Sequence, residues 1–589
     1  MTALARAETA RPDTDALIAL AQNWLSRFED ALGRRDTTAL GQLFAPDSHW
    51  RDVLALTFGL TTVSGADAIV MALFAHADAK PGRFRIAAGR TLPRVVKRAG
   101  IETIEVIFSF ETPIGRGDGV LRLIGDRAWT LLTALEDLAG HEERVGKTRP
   151  TGQSHSRDFR GPNWLDQRKA AATYAERDPT VLVVGGGQAG LAIAARLRLL
   201  GIDTLIVDRE ARIGDNWRNR YHALTLHNQV QVNHLPYMPF PPSWPSYIPK
   251  DKLAGWFEAY VEAMELNYWT GTEFCGGAYD EATQRWNATV RRNGTERLMH
   301  PRHIVMATGV SGIPNPPDIA SLKDFRGQVL HSSQYRDGED WQGKRAIVIG
   351  TGNSGHDIAQ DLYSSGADVT LVQRSPTLIV NIEPSAQLAY AMYDEGPPLE
   401  DCDLMALSIP LAVGRASHQL LTKQGEALDR PLLDRLTQRG FKLDWGEDGT
   451  GWQFKYLSRG GGYYFNVGCS DLVAEGKVRL VQFADIARFT AEGAALRDGA
   501  TMPADLIVLA TGYKGQEHLV RKLFGDAVAT RVGPIWGFGP EQELRNMYVR
   551  TKQPGLWFIA GSLAQCRINS KYLALQIKAI EEGLLAKKL

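Results

Sequence analysis

Two stretches with the same layout, about 165 residues apart, constrain most of what this chain can fold into. The first is PTVLVVGGGQAGLAIAARLRLLGIDTLIVDRE. Its apolar run Val181–Val184 breaks at Gly185, Gly187 and Gly190, a helix rich in small residues follows, and residues 205–207 form a second apolar run. The second is KRAIVIGTGNSGHDIAQDLYSSGADVTLVQRSPT, in which residues 346–349 lead into Gly350, Gly352 and Gly355. Both spacings predict a strand, a tight glycine turn, a helix and a second strand. The glycines let the backbone approach a pyrophosphate, which then sits on the unpaired N–H groups of the helix amino terminus.

The two units differ at the end of the second strand. Asp208 lies 18 residues after Gly190, where a carboxylate accepts both hydrogens of a ribose diol and suits FAD or NAD. The matching position after Gly355 is Gln373, followed by Arg374. Losing the acid and adding a guanidinium favours a 2′-phosphate, so the second unit reads as an NADPH site, with Ser375 and Thr377 as helpers at the phosphate. The competing reading of Arg374 is a solvated surface cation.

The rest of the sequence sets limits. A chain of 589 residues is too long for one core and suggests three or four units. Its 67 basic side chains balance 67 acidic ones, which supplies no field for nucleic acid or an anionic membrane. Cys275, Cys402, Cys469 and Cys566 are far apart, without a CxxC pair or histidines at ligand spacing, so neither a disulfide framework nor a metal site is expected. No run approaches 18 apolar residues, and the chain reads as cytoplasmic.

Residues 1–150 read as a separate α+β unit, helices first and a sheet after, with Leu17, Leu20, Trp24 and Phe28 at helical spacing and alternating runs such as IETIEVIFSFETP. Within it, His49, Trp50 and Asp52 are either a small acid/base set or, the reading preferred, part of a packing or dimerisation module. Residues 151–178 form a polar connector with a helical piece. A first FAD segment is expected over 179–335, an NADPH domain over 336–505 with a helical insert at about 381–460, and a second FAD segment over 506–589. Two apolar strands stop at Ala-Thr-Gly, at Thr308 and Thr511, and are expected where the chain leaves and re-enters the FAD domain. The fold class is therefore α/β, two Rossmann-like domains with the NADPH unit interrupting the FAD unit, preceded by a small α+β domain for which the resemblance described below implies a cone shape.

Between the two units, FRGQVLHSSQYR places Phe325, Gly327, His331 and Tyr335 in the pattern Phe-x-Gly-x-x-x-His-x-x-x-Tyr. With IGDNWRNRY, LTLHNQVQVNHLPYMPFP, GTGNSGHDIA, LATGY and PGLWFIAGSLAQCRINSKYLALQIKAI, this resembles the class B flavoprotein monooxygenases over about residues 160–589. Tyr335 matches the flavin-containing-monooxygenase branch, where Baeyer-Villiger enzymes have Trp, and LTLH with LPYMPFP is also similar to the auxin-type enzymes. The amino-terminal unit resembles the nuclear-transport-factor-2-like and SnoaL-like folds, an extension found in type II members.

The resemblance implies FAD, NADPH or NADH, and molecular oxygen as co-substrate. One oxygen atom would reach a small organic substrate through a flavin (hydro)peroxide, by Baeyer-Villiger oxidation of a ketone or oxygenation of sulfur or nitrogen. It further implies Trp217, Gly561 and Ser570 near the flavin, Asn228 or its neighbour His227 as an active-site group, and an arginine whose place here is held by Arg459 before three glycines. His331 is expected either to pass protons or, preferably, to couple the two nucleotide domains, with Phe325 and Tyr335 as anchors and Gly327 at a turn. The alternatives are an idle flavoprotein that only consumes NADPH, with a ligand- or partner-binding first domain, and a disulfide reductase. A homodimer through the amino-terminal domain is a further expectation.

Overall fold

The computed structural model describes residues 13–150, 159–310 and 312–585. In the amino-terminal unit, α1 (Thr14–Arg34) starts at Asp13, whose carboxylate accepts from Asp15 N, and buries Leu17, Ala21, Trp24, Leu25 and Phe28 along one stripe. Short helices α2 (Thr37–Gln42) and α3 (Ala66–Ala75) complete the helical side. Strand Phe44–Val53 comes between them, so the helices do not all precede the sheet. The seven-stranded sheet is antiparallel except where Phe44–Val53 runs parallel to Arg127–Leu135. Its interior is filled with aromatic rings: Trp24 stacks on Phe28 at 5.0 Å and Phe84 on Phe110 at 5.3 Å. Gly117 and Gly119 are obligatory there, since a Cβ at either would run into Phe110 or Phe108.

After α4 (Trp164–Thr173) in the connector, the first nucleotide sheet assembles five parallel strands in the spatial order Asn267–Trp269, Thr204–Val207, Val181–Val184, His303–Met306 and Leu556–Phe558. The strands are buried on both faces, which is why they read as continuous Val, Leu and Ile runs. The last comes from the carboxy-terminal part of the chain, so the second nucleotide unit is inserted into the first. Helix α5 (Gln188–Leu199) follows the first glycine turn.

The second sheet has the order Gln328–His331, Leu506–Leu509, Arg345–Ile349, Asp368–Gln373 and Arg479–Gln482, again all parallel, with α6 (Asn353–Ser364) after its glycine turn. This corrects the expected boundaries. Strand 328–331 of the fingerprint and strand 506–509 pair with each other inside the second sheet, so that domain runs from about 328 to about 510 rather than 336–505. The chain crosses between domains just beyond, where Ile313–Pro314 pairs with Tyr513–Lys514. The insert consists of a 3-10 turn (Ser385–Asp394) and helices α7 (Leu399–Leu407), α8 (Leu411–Gln438) and α9 (Gly451–Arg459). The carboxy-terminal helix α10 (Leu563–Glu581) packs on α5. Among the described residues, no helix is long and apolar enough to cross a membrane.

The fingerprint's residues hold the junction. Phe325 is buried beneath the second sheet, and Tyr335 is buried with its hydroxyl donating to Asp361 Oδ2 at 2.6 Å. Gly327 is not a turn glycine in the left-handed region. A side chain there would strike the Phe325 ring and lie 2.5 Å from Asp505 O, so its role is close approach.

Candidate active site

The first glycine loop is built to keep side chains out. Gly185 has a φ of +106°, and a Cβ there would sit 2.6 Å from Ala307 O and 3.3 Å from Thr308 N. Gly190 packs so closely on Gly185 that a methyl group would collide with Gly185 O, and Gly187 is the N-cap of α5. The result is a bare backbone cradle at a helix amino end. Asp208 closes it: Oδ2 accepts from Gly186 N at 2.6 Å and Oδ1 from Glu210 N at 2.9 Å. Tyr268, on the neighbouring strand, lies over Gly186 and contacts Asp208; burial, then that carboxylate, raises its hydroxyl pKa. It is a ligand-facing candidate that sequence reasoning missed.

At the far end of the cradle, Gln188 Nε2 donates to Gly561 O at 3.1 Å and so links the starts of α5 and α10. Gly561 has a φ of +117°. The N-cap of α10 is Ser562, in a capping box with Gln565. Ser570 is two turns further on, fully buried, with its hydroxyl donating to Arg567 O at 3.2 Å, so the hydroxyl at the helix mouth is that of Ser562. The Trp217 indole N–H is buried without a protein partner beside this first domain. An orphaned donor, a side-chain-free cradle and two convergent helix amino ends fit a dinucleotide such as FAD.

The second loop repeats the design. Gly350 has a φ of +119°, Gly352 caps α6, and a Cβ at Gly355 would collide with Gly350 O. Gln373 is fully buried and turned away, exchanging hydrogen bonds with the Lys442 backbone at 2.8 and 2.9 Å. Arg374 is exposed at the strand end beside exposed Ser375, 3.4 Å from its hydroxyl. Thr377 is buried, and its hydroxyl meets that of Thr351 at 2.5 Å, so it braces the loop from behind. Thr511 donates to Asn315 O at 2.8 Å and ties the two crossings together. His331 does the same: Nε2 pairs with Gly512 O at 3.1 Å and Nδ1 with Ser333 at 2.9 Å, while burial lowers its pKa. Both ring nitrogens of His331 are thus engaged at the crossing between the two domains.

The two units meet around residues 225–234. Asn228 is half-buried, with its side chain near the Tyr390 hydroxyl of the insert, and its carbonyl accepts from Asn233 Nδ2 at 2.8 Å. His227 stands edge-on to Phe465 at 5.3 Å, and burial lowers its pKa. Tyr456, on α9, donates to Gln565 Oε1 at 3.1 Å at the mouth of α10. Tyr390, Tyr456, Tyr463, Trp452 and Phe465 thus gather polar tips on an aromatic wall between the two cradles; burial raises the pKa of all three tyrosines, keeping them neutral donors. Arg459 is exposed at the end of α9.

In the amino-terminal unit, Asp52 is fully buried and accepts from Leu56 N, Thr57 N, Thr57 Oγ1 and Thr133 Oγ1, the last at 2.6 Å. Burial raises its pKa against those bonds. Trp50 donates to the same Thr133, whereas His49 points to the other face and meets Ser64. The three do not converge, and Asp52 organises a loop.

Comparison with known proteins agrees with this architecture. The family profile described as pyridine nucleotide-disulphide oxidoreductase matches residues 182–393. The chain is 31% identical over 379 residues to indole-3-pyruvate monooxygenase YUCCA1 of Oryza sativa subsp. japonica, covering 63% of this chain and 85% of that protein. The chain belongs to the flavin monooxygenase family. Its reaction class is NAD(P)H- and oxygen-dependent monooxygenation. A second relative, probable indole-3-pyruvate monooxygenase YUCCA3 of Arabidopsis thaliana, is 29% identical, covering 56% of this chain and 72% of that one. In fold, the monooxygenase is similar to cyclohexanone monooxygenase solved with epsilon-caprolactone bound, with a TM-score of 0.51 and 17% identity over 69% of this chain and 88% of that one. All four cysteines are unpaired, three of them buried.

Proposed function

We propose that this monooxygenase binds FAD at the first glycine cradle and NADPH at the second, and oxygenates a small organic substrate against the wall formed by Asn228, Tyr390 and Tyr456. The observation that carries the reading is the opposite chemistry of two otherwise matching cradles, a carboxylate at Asp208 and an exposed guanidinium at Arg374, which meet at one aromatic wall. FAD held at the first cradle would supply the redox chemistry of hydride acceptance and oxygen activation that monooxygenation requires. The protein's part is to hold, orient and exclude water. Gly185, Gly187 and Gly190 admit the pyrophosphate, Asp208 takes the ribose, and Trp217 supplies its unpaired N–H. Gly350, Gly352, Gly355 and Arg374 hold the second nucleotide. The neutral Asn228 amide and the tyrosine hydroxyls offer hydrogen bonds without a charge, and the surrounding rings keep water from the reacting oxygen.

The wall presents hydroxyls and rings and suits a neutral ketone or sulfide. A cytoplasmic setting belongs to the same reading. The homodimer of this reading uses a face of the amino-terminal unit other than the one packed on its own chain.

The test counts NADPH, product and peroxide together across a panel of ketones, sulfides and amines. Wild-type protein should convert at least one panel member with product matching NADPH consumed. Asn228→Ala, purified with its flavin, should oxidise NADPH at a similar rate while its product yield falls roughly tenfold or more. Unchanged coupling in that variant removes Asn228 from the site.

A further inference from the structure

The amino-terminal unit is joined to the substrate wall by a continuous set of charged contacts. Glu105 sits buried on its sheet between Arg94, Arg98 and Arg122; burial alone would raise its pKa, and the three guanidinium groups instead hold it at about 2. These arginines reach outward to the insert. Arg98 grips Glu395 with both nitrogens at 2.6 and 2.8 Å, Arg94 adds a third contact at 2.8 Å, and Arg122 donates to Ser408 Oγ at 2.8 Å. Asp401 on α7 accepts from Arg90 at 2.9 Å and Thr91 N at 2.8 Å. Arg51 and Glu543 pair through two bonds of 2.8 and 2.7 Å, and Lys571 meets Glu136 at 2.5 Å.

The far ends of these contacts lie next to the site. Glu395 directly follows the turn that carries Tyr390. On α7, two residues after Asp401, Asp403 holds the buried Arg567 through two bonds of 2.7 Å, and Arg567 donates to Val232 O and His234 O at 2.9 and 2.7 Å. Asn233, between those two carbonyls, holds the Asn228 carbonyl. Both partners of the Asn228–Tyr390 contact are therefore fixed from the same direction.

Resting on the site proposed above, we propose that the amino-terminal unit is a positioning domain for oxygenation, with Glu395 and Asp401 as the residues through which it sets the Asn228–Tyr390 geometry. Glu395 and Asp401 touch neither nucleotide cradle, so loosening them disturbs substrate placement and leaves NADPH binding alone. A module serving only stability would move the two together. The pairs are partly or fully shielded from solvent, which keeps them strong at ordinary salt.

The experiment compares flavin-loaded Glu395→Ala, Asp401→Ala and the milder Arg98→Lys, which keeps the charge but not the two-pronged grip. In the alanine variants the substrate KM and the peroxide share should rise roughly tenfold, a typical coupling between contacting residues, with Arg98→Lys in between. The KM for NADPH and the substrate-free rate of NADPH oxidation should stay within about twofold. Wild-type coupling in both alanine variants, or an NADPH KM that rises in step with the substrate KM, overturns the proposal. Hydrogen exchange over residues 225–234 and 385–407 gives a second readout, expected to quicken in the alanine variants and in Arg98→Lys, and no change in any of them overturns it as well. A wild-type protein that oxygenates nothing on the panel counts against the functional reading alone, and the exchange measurement still decides the holding role.

Discussion

Replacing Arg374 by alanine is expected to raise the KM for NADPH by roughly ten- to a hundredfold while changing that for NADH by less than about threefold. A hydrogen bond to a charged group is worth about 1.5–3 kcal/mol, and each 1.4 kcal/mol is a factor of ten. Arg374 is the cation at the strand end nearest the second glycine loop; Gln373 is locked inward by Lys442. Of its neighbours, Ser375 is exposed and able to share a phosphate, whereas Thr377 is committed to Thr351. Ser375→Ala should therefore give a smaller NADPH-specific effect. Steady-state kinetics with both nucleotides checks this, and equal losses for NADPH and NADH would assign Arg374 to the solvated surface.

The second large effect is expected at Gly190. A methyl group there runs into Gly185 O and lies 3.4 Å from a Val183 methyl, on the helix that must pack tightly enough for its amino end to reach the pyrophosphate. Overpacking of this kind costs roughly 1–3 kcal/mol. It also pushes α5 away from the cradle, so Gly190→Ala should be purified largely without flavin and should melt at a lower temperature. Gly33→Ala, in α1 with nothing within 4 Å of the added methyl, is the control and should keep its flavin with equal or slightly higher stability. Full flavin occupancy in Gly190→Ala, read from the visible spectrum, would contradict the close-packing role.

What could be read from the sequence follows physical range. The glycine turns were legible because steric exclusion is local: Gly185, Gly190, Gly350 and Gly355 all stand where a Cβ meets backbone oxygen. The contrast between Asp208 and Arg374 was legible because each ends a strand at a fixed offset from its turn. The fingerprint was misread in detail. Strand 328–331 was assigned to the first FAD segment because its pairing partner, 506–509, lies far along the chain, and Gly327 looked like a turn because its close neighbour, Asp505 O, is equally distant. The aromatic wall depends on contacts such as Tyr456 to Gln565, 109 residues apart, which leave no periodic signal. Arg94 and Arg98 leave no such signal either, because their partner Glu395 belongs to another domain. His49, Trp50 and Asp52 were close in sequence, but strand alternation sends His49 to Ser64 on the face opposite Trp50 and Asp52, which both meet Thr133.

The most direct test of the account is turnover of an accepted substrate under isotopically labelled oxygen gas, with NADPH as the reductant and the product analysed by mass spectrometry. The account predicts one labelled oxygen atom in each product molecule and one NADPH consumed per atom incorporated. Product that carries only oxygen from water, or NADPH consumption that ends wholly in labelled hydrogen peroxide for every substrate offered, would contradict it.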